Sequence, residues 1–122
     1  MEHPLVQLAR AAIEAYVRHG RHLRPAEAPT PVSGEPAGAF VTLHTRSTGE
    51  LRGCIGTITA TEDTLAQEVI NNAISAATRD PRFPPVKAGE LADLVIDVSV
   101  LHPPERISSE AELDPRQYGV IV

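Results

Sequence analysis

The 122-residue sequence contains one cysteine, within the stretch LRGCIG, Leu51 to Gly56. Arg52 precedes Cys54 by two positions, and Gly53 and Gly56 stand on either side of the thiol. The thiolate is the reactive form of cysteine, and a nearby cation favours it. Arg52 and Cys54 together therefore have the composition of an activated thiol. Cys54 would act as nucleophile, redox centre or ligand, with Arg52 as its electrostatic partner and anion holder. The same residues also fit a plain strand in which Cys54 is a small buried hydrophobe. Glycine weakens a strand, so Gly53 and Gly56 call for a bulge, a bend or the close approach of another backbone or a ligand.

A second cluster reads RDPRFPP, residues 79 to 85. Its prolines stiffen a turn that carries Arg79, Asp80 and Arg82. Two guanidiniums so held can grip a carboxylate or phosphate bidentately. Alternatively, Asp80 caps the turn and the arginines are solvated or pair with carboxylates. His44 is the remaining candidate, and hairpin register decides its relation to the thiol. A two-residue Thr48-Gly49 turn sets Cys54 opposite Leu43 and Arg52 opposite Thr45. A three-residue loop sets His44 opposite Arg52 and diagonal to Cys54. One slip inverts the facing, and both registers remain open. His19-x-x-His22 lies at a helix end with no second ligand cluster, so no metal site is expected. Phosphate-binding glycine loops, HExxH and GxSxG are absent, and no cofactor is expected.

The elements that must position these residues can be read from periodicity. Residues 4 to 19 carry Leu5, Leu8, Ala9, Ala12, Ile13, Tyr16 and Val17 on one helical stripe, with Pro4 at its start and Gly20 at its end. Residues 25 to 36 hold four prolines and read as a loop. Phe40 to Thr45 and Leu51 to Ile58 read as the strands of an antiparallel hairpin around Ser47 to Glu50. Glu62 to Thr78 reads as a helix, with Leu65, Val69, Ala73, Ala76 and Ala77 on one face. Thr64 and Gln67 form its capping box, although Thr61 or Asp63 could equally begin it. Leu94 to Leu101 reads as a strand with Leu94, Ile96, Val98 and Val100 on one face. Tyr118 to Val122 reads as another. Hairpin and helices without a βαβ rhythm predict an α+β fold, an antiparallel sheet flanked by helices.

Bulk properties narrow the function classes. The length suits a single domain over residues 1–122. A formal charge of −5 argues against nucleic acid or an anionic membrane as partner. No apolar run has the length of a membrane span, the first residues do not read as a signal peptide, and one cysteine makes no internal disulfide. A cytoplasmic protein is expected. Ten arginines to one lysine, with 11 prolines, suggest a GC-rich bacterial source.

LRGCIG, then NAISAATRDPRFPP, then DLVIDVSVL followed by two prolines, resembles the AMMECR-type domain, the AmmeMemoRadiSam system protein A family. The resemblance runs from the first helix to the last residue. It implies an α+β fold, a functional motif at Leu51, Arg52, Gly53, Cys54, Ile55 and Gly56, and no settled reaction. The family name implies association with Memo-type and radical SAM proteins in a modification or redox pathway. Under that resemblance the protein is either an enzyme with a small-molecule or anion-binding cleft around LRGCIG, or a non-catalytic scaffold for those partners. Family members continue beyond YGVIV. The C-terminal part of the domain is therefore expected to be absent, and self-association as a homodimer through that edge is expected.

Overall fold

The computed structural model describes residues 3–30, 32 and 35–101. The apolar stripe at the N-terminus folds as helix α1, Pro4–His19. The ring nitrogen of His3 accepts the Leu5 N–H at 3.0 Å, and Pro4 takes the first turn, where no backbone donor is needed. Gly20 closes the helix at φ 64°, a left-handed conformation that costs glycine little. Leu8, Ala9, Ala12, Ile13 and Ala15 are the buried face. Helix α2 spans Leu65–Thr78, with the Thr64 hydroxyl accepting the Gln67 N–H at 3.1 Å. Of the candidate starts, Thr64 is the one used. Neither helix is long and apolar enough to cross a membrane.

Three strands, β1 Gly38–Thr45, β2 Leu51–Gly56 and β3 Leu94–Leu101, form an antiparallel sheet in the order β2-β1-β3. Helix α2 lies against β1, β2 and α1, which explains why it is buried on most of its circumference. Ala39, Val41 and Leu43 of β1 are buried on the helix-covered face of the sheet, and Leu94 and Ile96 of β3 are buried on that face where α1 packs. The fold is thus α+β, as the residue pattern predicts. Strand β2 stops at Gly56, two residues short of the expected Ile58, because the chain turns there toward the start of α2. The segment 25–36 holds a short 3-10 turn at Pro25–Glu27, and a second, Ala88–Asp93, leads into β3. The expected strand Tyr118–Val122 lies outside the described residues.

Hairpin register is set by two features together. The Thr45 N–H donates to the Glu50 carbonyl at 2.8 Å, so Arg46 to Gly49 form a four-residue loop with Gly49 at φ 76°. This replaces both the two-residue and the three-residue loops considered from the sequence. Ser47 fastens the loop to Asp93 through Oγ, at 2.7 Å, and through its N–H, at 3.1 Å. From that closure an unbroken ladder would set Cys54 opposite Val41, among the core-facing residues. Instead His44 pairs with Leu51 and Leu43 with Gly53, which leaves Arg52 as one extra residue in β2. The bulge shifts all that follows by one place. Gly53 turns to the core, and Cys54 comes opposite Thr42 on the other face.

The two glycines then have separate causes. Gly53 is where α2 crosses β2 most closely: a Cβ there would fall within the radius of the Ala76 carbonyl oxygen. Gly56 lies beneath the ring of Phe40, its cross-strand partner, which would collide with any Cβ. Gly53→Ala must push α2 off the sheet, an overpacking cost of about 1–3 kcal/mol. Gly89 has nothing within 4 Å of its would-be Cβ. Gly89→Ala should therefore stay within about 0.5 kcal/mol of the parent in urea unfolding. Equal stability of the two variants would contradict the close approach at Gly53.

Candidate functional site

The bulge and the RDPRFPP segment build the surroundings of Cys54 from opposite sides. The thiol is half-buried, and its Sγ lies 3.3 Å from the Thr42 hydroxyl across the β1–β2 pair. His44 occupies the next place along the same face of β1, half-buried, opposite Leu51 and Val95. Diagonal neighbours in a sheet lie about 7–8 Å apart. Cys54 and His44 thus share a face without a hydrogen bond joining them. They offer two donors to a ligand or metal, and among the described residues no group of three or more His, Cys, Asp or Glu is so placed.

The backbone of Cys54 is held from the open side of β2. Asp80 is buried, and its Oδ2 accepts the Cys54 N–H at 3.0 Å. Arg82 wraps the same carboxylate: Nε donates to Oδ1 at 3.0 Å, Nη2 to Oδ2 at 2.7 Å, and the Arg82 N–H to Oδ1 at 3.0 Å. Arg82 Nη2 also reaches the Cys54 carbonyl at 3.5 Å. Proline explains why the chain can do this. Pro81 ends the helix and the chain turns, the Phe83 N–H donating to the Asp80 carbonyl at 3.1 Å, so Asp80 and Arg82 reach β2 rather than continue a helix. The Arg82 guanidinium, followed by burial and by the two backbone N–H donors, sets the acidity of Asp80; burial opposes, and the carboxyl is held well below the usual carboxylate range. Arg79 is exposed, and its N–H closes α2 on the Ser75 carbonyl at 2.7 Å.

Arg52 takes a different course. Thrown out of the ladder by the bulge, its Nε and Nη2 meet the Glu90 carboxylate at 2.9 and 3.1 Å, and Nη2 lies 3.4 Å from the Pro85 carbonyl. Its Nη1 is buried and has no hydrogen-bond partner. The Arg52 guanidinium in turn lowers the pKa of Glu90, against a smaller opposing effect of burial. Leu51 is exposed, Ile55 packs half-buried against the core, and Gly53 and Gly56 serve the close contacts described above. The structure therefore brings Arg52, Cys54, Asp80 and Arg82 onto one stretch of β2.

Several polar residues here escaped the reading of motifs. Glu90 is the partner of Arg52, and Thr42 is the contact of the thiol. Glu68, in the first turn of α2, is buried and accepts four hydrogen bonds: Thr57 Oγ1 at 2.6 Å, Thr61 N–H and Oγ1 at 2.8 Å each, and Glu62 N–H at 3.0 Å. Burial would raise its pKa, but the four donors outweigh it and the net direction is down. Asn72, one turn on, donates to the Ala39 carbonyl at 2.8 Å and to Thr57 Oγ1 at 3.2 Å. Both lie in the apolar stripe of α2, where a polar residue marks a buried network. That signal was present in the sequence.

These carboxylates set an acid limit. Asp80, Glu68 and Glu90 are all depressed in the folded chain. The unfolded chain therefore binds protons first as pH falls. Their stabilisation is complete above the ordinary carboxylate range, about pH 4, and is lost as pH drops through the lower folded values. Asp80→Asn should cost about 2 kcal/mol at pH 7, mostly through the buried backbone donors rather than the exposed Arg82. It should also flatten the decline of stability between about pH 4 and pH 2. Chemical denaturation across that range measures both effects, and an unchanged slope would show that Asp80 is not depressed.

A family model described as AMMECR1 matches residues 6–122. A protein of Thermotoga maritima is 53% identical over 122 residues, spanning 99% of this chain and 70% of its own length. One from Thermococcus onnurineus is 50% identical over 119 residues, spanning 95% and 58%. The crystal structure of the uncharacterized protein PH0010 from Pyrococcus horikoshii superposes with a TM-score of 0.73 at 45% identity, over 92% of this chain and 56% of that one. The chain thus spans a little over half the length of the two archaeal relatives, and relatives occur outside the bacteria as well as within them. Their names state no activity. Matched by the family model over nearly its whole length, the chain belongs to the AMMECR1 family.

Proposed function

We propose that the Cys54 face of the sheet is a binding surface, and that the domain works as a scaffold or delivery module in the cytoplasm. Its partners would be Memo-type and radical SAM proteins, or a small molecule passed between them. The observation that supports this reading is how the charged residues around LRGCIG are spent. Arg52 is engaged by Glu90 and Arg82 by Asp80, so each guanidinium is neutralised by a carboxylate of the same chain. An anion would have to displace a carboxylate to reach Arg52, and at Arg82 it would meet only the half of the side chain left exposed beside Asp80. The outer face then carries a half-buried thiol beside a hydroxyl, with His44 next to them on β1 and the exposed Asp97 opposite Thr42 on β3, and Asp80 holds the Cys54 backbone. A rigid surface suits a partner that must be recognised without ordering the domain first.

A thiol reaction is the second reading. It is favoured by one observation, the partial exposure of Cys54 with the Thr42 hydroxyl 3.3 Å from its sulfur. In that case Cys54 would be the nucleophile or redox thiol.

The two readings separate under paired substitutions, with fold checked by circular dichroism. Cys54→Ser should leave affinity for the Memo-type and radical SAM proteins of the same organism within about threefold in calorimetric titration, while Cys54→Trp should weaken it at least ~10-fold, about 1.4 kcal/mol. If a folded Cys54→Trp binds like the parent, this face is not the surface. If Cys54→Ser binds normally but pathway output is lost, the thiol itself does the chemistry.

A further inference from the structure

In the described sheet β2 is an edge strand, and an edge strand presents unpaired N–H and C=O groups to any passing chain. At Cys54 both outward groups are already met. Asp80 Oδ2 accepts the N–H at 3.0 Å, and Arg82 Nη2 lies 3.5 Å from the carbonyl. A neighbouring strand would make this same pair of contacts, an acceptor on the N–H and a donor on the C=O. Here two side chains make them.

We propose that the Asp80-Pro81-Arg82 segment is an edge guard, a side-chain surrogate for the missing strand that keeps β2 from pairing with a second copy of the chain. Each residue type in RDPRFPP has a part in this. A carboxylate and a guanidinium two positions apart, in a turn closed by the Phe83 N–H on the Asp80 carbonyl at 3.1 Å, supply one acceptor and one donor to the same strand residue. Arg82 clamps Asp80 through its side chain and its own N–H, so the guard is rigid before it meets the strand. Pro81, Pro84 and Pro85 lack an N–H, so the guard cannot itself serve as an edge for further pairing. The exposed half of Arg82 adds a charge at the rim, another feature that discourages stacking of strands. The guard covers one residue only. By strand alternation Gly56 points its N–H the same way, and among the described residues no carboxylate meets it.

Amide hydrogen exchange on the unaltered chain tests the guard without risk to the fold. Corrected for intrinsic rates, the Cys54 amide should exchange at least ~10-fold more slowly than that of Gly56, as a capped donor must. A smaller ratio overturns the proposal. The second arm is the double variant Asp80→Ala/Arg82→Ala, with sedimentation followed against concentration beside the parent chain. If it keeps the parent's circular dichroism, its mass should rise with concentration more steeply than the parent's. A folded double variant that associates no more than the parent overturns the guard. Should the variant fail to fold, the exchange ratio decides alone.

Discussion

A single surplus residue in the β1–β2 ladder governs what this domain presents to its surroundings. Without the bulge at Arg52, the Thr45–Glu50 closure would send Cys54 into the core and Gly53 out of it. Arg52 would then stand opposite Leu43, where the Ala76 carbonyl of α2 now approaches β2, and no side chain fits in that space. The close packing of α2 and the length of the hairpin loop are thus incompatible in a regular ladder. Adding one residue reconciles them. The same step releases Arg52 from the two faces of the sheet and lets it reach Glu90, which follows α2 by more than a helical turn of chain.

Two buried carboxylates then strap α2 to β2 at both ends. Glu68, in the first turn, gathers Thr57, Thr61 and Glu62 from the segment leaving β2. Its charge sits at the positive end of the helix dipole, where an anion is favoured. Asp80, just past the last turn, takes the Cys54 N–H from the middle of the strand. Neither carboxylate would be tolerable in the interior alone. Each is satisfied by donors that the other element supplies, so removing either leaves several buried groups without partners. The helix therefore cannot slide along β2 without breaking one set of contacts. This restraint holds Gly53 against Ala76.

The sequence carried the elements well and their cross-connections poorly. Both helices, the hairpin and β3 follow from apolar period and capping residues such as Pro4, Gly20 and Thr64, which act within a few positions of themselves. Register did not follow, because it is decided by competition between the Arg46–Gly49 loop and a helix that begins only at Leu65. The Arg52–Glu90 pair spans 38 residues and leaves no periodic trace. Glu68 and Asn72 were legible in principle, being polar residues within an apolar stripe. Arg52, Cys54 and the RDPRFPP segment lie together in the structure, but their pairing differs from what residue types suggest. Arg52, the expected partner of the thiol, is taken by Glu90, while Asp80 and Arg82 hold the backbone of Cys54.

That difference bears on how the motif is understood. A string such as LRGCIG invites a search for one reaction shared by all six residues. In this structure they serve at least three different requirements. Gly53 admits a helix carbonyl, Gly56 admits an aromatic ring, and Arg52 fills the bulge and binds a distant carboxylate. Only Cys54 turns a reactive group to the outer face, and the others fix where it stands. Constraint on a residue's identity can thus arise from packing at Gly53, Ile55 and Gly56, from an ion pair at Arg52 and from exposure at Cys54. Substitutions at the glycines will disturb Cys54 through the fold, so loss of function there says little about chemistry. The thiol and its neighbour Thr42 are the positions at which packing and function can be pulled apart.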